Sequence, residues 1–113
     1  MTGMENYLFT QTIKFLPMNR TVYIAGQITG VPKEQAAEKF NTMAARLAGM
    51  GYNVVKPDAL YEDPAMWSAT ARADIKKMLE CDEVHLLPGW QQCRGAQLKR
   101  DIALRLGMEL VYH

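Results

Sequence analysis

Cys93, Arg94 and Lys99 stand close together in the run WQQCRGAQLKRDIALRLG, and Asp74 and Asp82 precede them. A thiol, an amine and a carboxylate can serve as nucleophile, acid or base, and paired cations can hold an anion. At about 100° per residue, Gly95, Ala96, Ile102, Ala103 and Leu106 fall on one side of a helix, and Lys99 lies within that stripe. Arg100 and Asp101 point elsewhere. An ammonium on an inward stripe must snorkel, find an anion or give up its proton. Arg94, Lys99 and Arg100 also crowd the first two turns. Exposed cations there oppose the helix dipole by about 0.3–1 kcal/mol each, a cost that a bound anion would reverse. The alternative is a snorkelling lysine with two solvated arginines.

Asp74 borders the apolar stripe Trp67, Ala71, Ile75 and Met78 of a preceding helix, where a single carboxylate is expected in water. Asp82 follows Cys81 at a helix-to-strand turn, a place where a carboxylate accepts from backbone N–H groups. Trp90 sits in a loop, where it can stack on a base or fill a subunit interface. Tyr23 lies inside a strand and reads as core, with a hydroxyl long enough to reach a cleft. Gly26 and Gly30 in AGQITG permit close approach of a ligand, or serve only as turn residues. The motif is neither a dinucleotide fingerprint nor a Walker A sequence.

The elements that must position these residues alternate. TVYIA reads as a buried strand ending at Gly26. Pro32 suits a first helical position, and Ala36, Phe40, Met43 and Leu47 follow at helical spacing until Gly49 and Gly51. YNVV is a second strand, EVHLL a third and MELVY a fourth, with helices from Trp67 and over Arg94 to Leu106 between them. The order β-α-β-α-β-α-β predicts a parallel four-stranded sheet of order 2-1-3-4 in a three-layer, flavodoxin-like or Rossmann-like α/β sandwich. Ligands of such sheets sit beyond the strands' carboxyl ends, at the switch point between strands one and three.

The chain has 113 residues, 49% hydrophobic, with a net charge of +1. That predicts one domain and recommends neither a nucleic acid polymer nor a membrane surface as partner. Two cysteines without a CxxC, and two histidines, predict free thiols of a cytoplasmic protein and no metal site or cofactor. No apolar run reaches the ~20 residues of a membrane span. Residues 1–19 read as an extension or a strand-like arm upstream of a domain over 20–113; Phe9, Gln11, Ile13 and Phe15 alternate there with Thr10, Thr12 and Lys14.

YIAGQITG, the spacing W…RADIKKMLECDEV, and LPGWQQCRGAQLKRDIALRLG together resemble the nucleoside 2-deoxyribosyltransferase-like superfamily, closest to its branch of phages and prophages, the domain of unknown function 4406. The resemblance covers about Arg20 to Tyr112. It implies a flavodoxin-like fold and a homo-oligomer. It also implies attack by a glutamate on C1′ of a deoxynucleoside or nucleotide, then release of the sugar by a second nucleophile. By the same resemblance Tyr23 lines the sugar site, Asp74 binds sugar or base, and Arg72 and Trp90 match further recurring positions. The usual loop serine is Cys93 here, and the glutamate position falls on Lys99. An ammonium repels an oxocarbenium-like centre and cannot replace that glutamate.

The expectation is therefore a nucleoside- or nucleotide-binding protein without the ordinary mechanism. Its small-molecule ligand would touch Tyr23, Gly26, Asp74, Trp90, Cys93, Arg94, Gly95 and Lys99. Two alternatives stay open: an active N-glycosidase or deoxyribosyltransferase with a displaced nucleophile, and a phage interaction protein with a vestigial cleft. A lysine that forms a Schiff base is chemically allowed if it is desolvated.

Overall fold

The computed structural model describes residues 20–58 and 63–113. The proposed N-terminal arm or extension lies outside the described residues. The chain order is β1 (Thr21–Ala25), α1 (Lys33–Gly49), β2 (Asn53–Val55), α2 (Trp67–Leu79), β3 (Glu83–Leu86), α3 (Arg94–Arg105) and β4 (Glu109–Tyr112). Short 3-10 turns, Pro64–Met66 and Trp90–Gln92, precede α2 and α3. The sheet has four strands in the order β2-β1-β3-β4, all parallel, the topology that the alternation of elements predicts. Tyr23 of β1 pairs with Val55 on one side and Val84 on the other.

Side chains alternate across β1, and each face has its own cover. Val22 and Ile24 pack with Phe40 and Leu47 of α1 and with Leu87. Tyr23 and Ala25 face the other way, with Val84 and Leu86 of β3, Met78 of α2 and Ala103 of α3. The chain leaves β1 for α1 on one face and reaches β3 through α2 on the other. The switch point therefore lies between the carboxyl ends of β1 and β3.

Both α1 and α3 close with paired backbone bonds onto the last turn. Gly107 N–H donates to Leu104 O and Met108 N–H to Ala103 O, with Gly107 at φ 71°. Gly51, at φ 98°, does the same for α1. This closure puts Leu106 in the cap, where it is 62% exposed rather than on the inward stripe of α3. Pro32 likewise stands one position outside its helix: its ψ of 145° is extended, and Ala36 N–H donates to its carbonyl.

On the α1 face, β3 carries polar side chains where a central strand usually carries aliphatic ones. Glu83 and His85 are both buried. Glu83 accepts from Arg20 Nε and, at 2.8 Å, from His85 Nε2. The other His85 nitrogen meets His113 Nε2 at 2.8 Å, and Arg20 Nη2 donates to Glu109 at 2.6 Å. Asp82, at the turn into β3, accepts from the Thr21 N–H at 2.9 Å, as its position suggests.

Candidate functional site

A narrow cleft opens over the carboxyl ends of β1 and β3. Gly26 and Ile28 line it from the loop after β1, and Asp63 from the cap of the 3-10 turn before α2. Trp67, Thr70 and Ala71 come from the first turns of α2, and Cys93, Gly95, Ala96 and Lys99 from the start of α3. Four of the residues singled out in the sequence thus meet in one place: Gly26, Cys93, Gly95 and Lys99.

Lys99 is 6% exposed and does not snorkel. Its Nζ donates to Asp74 Oδ2 at 3.4 Å and stands 5.1 Å from the centre of the Tyr23 ring. Burial pulls the Lys99 pKa below its ordinary value, more than Asp74 and Cys93 push it back up. Asp74 is 3% exposed, not solvated, and its other oxygen accepts from the Asp58 N–H at 3.2 Å. Tyr23 is fully buried, and its hydroxyl has no hydrogen-bond partner among the described residues. Burial, reinforced by the charges of Asp74 and Asp58, keeps that phenol neutral. Tyr23 and Asp74 therefore form the layer behind Lys99 rather than the lining itself.

Cys93 occupies the N-cap of α3 and is a buried free thiol. Burial raises its pKa, but N–H groups of Thr29, Ile28 and Ala96 aimed at the sulfur outweigh this and leave it lowered. Thr29 Oγ1 lies 3.7 Å from Sγ.

The basic residues do not converge as the expected anion site requires. Lys99 is paired with Asp74. Arg94 lays its guanidinium 3.8 Å over the Trp67 ring, at the rim of the cleft. Arg100 reaches the Tyr112 hydroxyl at 3.0 Å and Asp101 at 3.2 Å. Trp90 is not among the lining residues. It packs against Tyr112, with ring centres 5.8 Å apart, and against the core of the α2–α3 face. Arg72 is exposed on α2.

Trp67 and Ala71 are lining residues that the sequence pattern assigns only to a core stripe, and Thr70 is a lining residue that the pattern does not single out. The readable signal was the phase of α2. From Trp67, Asp74 falls about 20° off the axis of the stripe and Ile75 about 80° off, on the other side. A stripe drawn through Trp67, Ala71, Asp74 and Met78 points the carboxylate inward and turns Trp67 to the cleft.

Gly26 has a steric requirement. A Cβ there would lie 3.0 Å from Leu87 Cβ, 3.1 Å from Leu87 Cδ1 and 3.2 Å from Phe40 Cζ, all in packed core. Gly26→Ala is expected to cost about 1–3 kcal/mol of stability by overpacking. A urea denaturation curve would show it as a lower midpoint with unchanged slope; an unmoved midpoint would contradict it.

A four-stranded parallel sheet with helices on both faces and a cleft at its switch point defines an α/β sandwich of the Rossmann-like or flavodoxin-like kind. The chain belongs to the family described as domain of unknown function (DUF4406), which it matches over residues 20–112. Comparison with curated proteins gives no match. Among the described residues no helix is long and apolar enough to cross a membrane, and no three His, Cys, Asp or Glu are grouped to hold a metal.

Proposed function

We propose that the protein binds a nucleoside or nucleotide in this cleft, as a member of the deoxyribosyltransferase-like superfamily that lacks the glutamate nucleophile. The observation that carries this reading is the Lys99–Asp74 pair at the cleft floor, in the slot where the resemblance expects glutamate. The floor is close to charge-balanced, which suits the hydroxyls of a sugar or the polar edge of a base better than a multiply charged phosphate. A phosphate, where present, would meet Arg94 at the rim. Trp67 offers an aromatic face beside it.

The test is a titration of the chain with a panel of nucleosides and mononucleotides, followed by tryptophan fluorescence and melting temperature. At least one nucleoside should change both. Arg94→Ala should weaken a 5′-nucleotide by roughly fivefold and leave its nucleoside little changed, since an exposed contact is worth about 1 kcal/mol. Silence across the whole panel would overturn the reading.

A further inference from the structure

Lys99 lines the cleft yet makes a single hydrogen bond, the 3.4 Å contact to Asp74. An ammonium carries three donors. The other two have no partner among the described residues. Beside it stands the Tyr23 side chain, whose buried hydroxyl is also without a partner there. Buried polar groups are nearly always satisfied. An under-satisfied amine that lines an open cleft, with an orphan phenol buried behind it, marks a place where Lys99 can meet the polar atoms of another molecule.

We propose that Lys99 is the nucleophilic amine of this cleft and condenses with the carbonyl carbon of a small hydroxyaldehyde, such as an open-chain sugar, to form an imine. This goes beyond the reading of nucleoside binding and does not need it. Asp74 Oδ2 is the group placed to take a proton from the Lys99 ammonium. The freed lone pair adds to the carbonyl carbon, the carbonyl π pair moves to oxygen, and one of the two protons now on the cationic nitrogen passes to that oxygen to give a neutral carbinolamine. A further proton from the Asp74 carboxyl lets that hydroxyl leave as water. The balance is one amine and one aldehyde in, one C=N bond and one water out. Burial favours the uncharged amine, and the Tyr23 ring shields it from bulk water. An ion pair that only holds the fold would have the opposite consequence, because a buried and occupied lysine reacts more slowly than a surface one.

The decisive experiment treats the native chain with glyceraldehyde near neutral pH, reduces any imine with cyanoborohydride and maps the adducts by peptide mass spectrometry. Lys99 should be labelled roughly tenfold faster than the exposed Lys39 and Lys76. The Lys99→Arg chain should lose that one adduct and keep the others. Labelling of Lys99 no faster than of Lys39 and Lys76 would overturn the proposal. This comparison is made within one native chain and stands even where the variant folds poorly. A nucleoside response without preferred labelling defeats this proposal alone. Preferred labelling without any nucleoside response defeats the proposed function alone.

Discussion

Asp74→Ala is expected to remove about 3–5 kcal/mol of folding stability, the size of loss seen when one partner of a buried ion pair is deleted. Asp74 and Lys99 are 3% and 6% exposed, so both charges are largely withdrawn from water. The alanine strands the Lys99 ammonium and also removes the acceptor of the Asp58 N–H. Lys99 can answer in part by losing its proton, since burial already disfavours its charge. The loss should therefore grow as the pH is lowered, where that escape closes. The coupling has its own signature. Asp74→Leu combined with Lys99→Met should recover most of what either single change loses, because a buried pair exchanged for apolar side chains is often neutral or better. Chemical denaturation of the four proteins forms the cycle. Additive losses would mean that the two residues act separately and that the 3.4 Å contact contributes nothing.

The same pair shows how far the sequence could be read. The phase of α3 put Lys99 inward, and the structure has it inward. That inference rested on small neighbours, Ala96 and Ala103, which leave room for a long side chain against the sheet. The apolar pattern of α2 misplaces its inward face because Ile75 is apolar and Asp74 is not. A carboxylate opposite a buried lysine is a sound inward residue, which hydrophobicity alone does not register. Each charge made the other's burial possible, and no single-helix pattern contains that information. The basic residues of α3 are drawn apart for a related reason. Three cations crowd the first two turns of one helix in the sequence, but each has a local partner: Asp74 for Lys99, the Trp67 ring for Arg94, Tyr112 and Asp101 for Arg100.

The sheet was legible because its punctuation is strong: short β-branched strands, helical spacing between them, and glycines at the ends of α1 and α3. The order β2-β1-β3-β4 is one in which right-handed crossovers put helices on both faces of the sheet. What pattern could not supply was the polar chain on the α1 face. EVHL reads as an ordinary buried strand, and only the fold brings Arg20 and His113 to it from the two ends of the described chain.

That chain should set the acid limit of the protein. Burial pushes the Glu83 pKa up, but the hydrogen bonds from His85 and Arg20 and the charge of Arg20 outweigh this and hold it below the usual 4.5. The unfolded chain then takes its proton first. The stability that ionised Glu83 supplies is complete above about pH 4.5 and is lost as the pH falls through the lower folded value. His113 acts in an earlier window with the same sign. Burial, with His85 and Arg46 nearby, lowers its pKa from 6.5, so the unfolded chain protonates first and stability slips as the pH falls below that value. Glu83→Gln replaces two acceptor oxygens with one acceptor and one donor, facing two N–H groups. It should cost about 3 kcal/mol near neutral pH, since a buried donor is left facing a donor and Arg20 loses a buried counter-charge. The gap between wild type and variant should narrow below about pH 4.5, where the wild type is surrendering the same ionised group. Denaturation midpoints measured from pH 7 down to pH 3 would trace both curves. If they ran parallel through that whole interval, Glu83 would not be the group that titrates, and the acid limb would belong to other carboxylates.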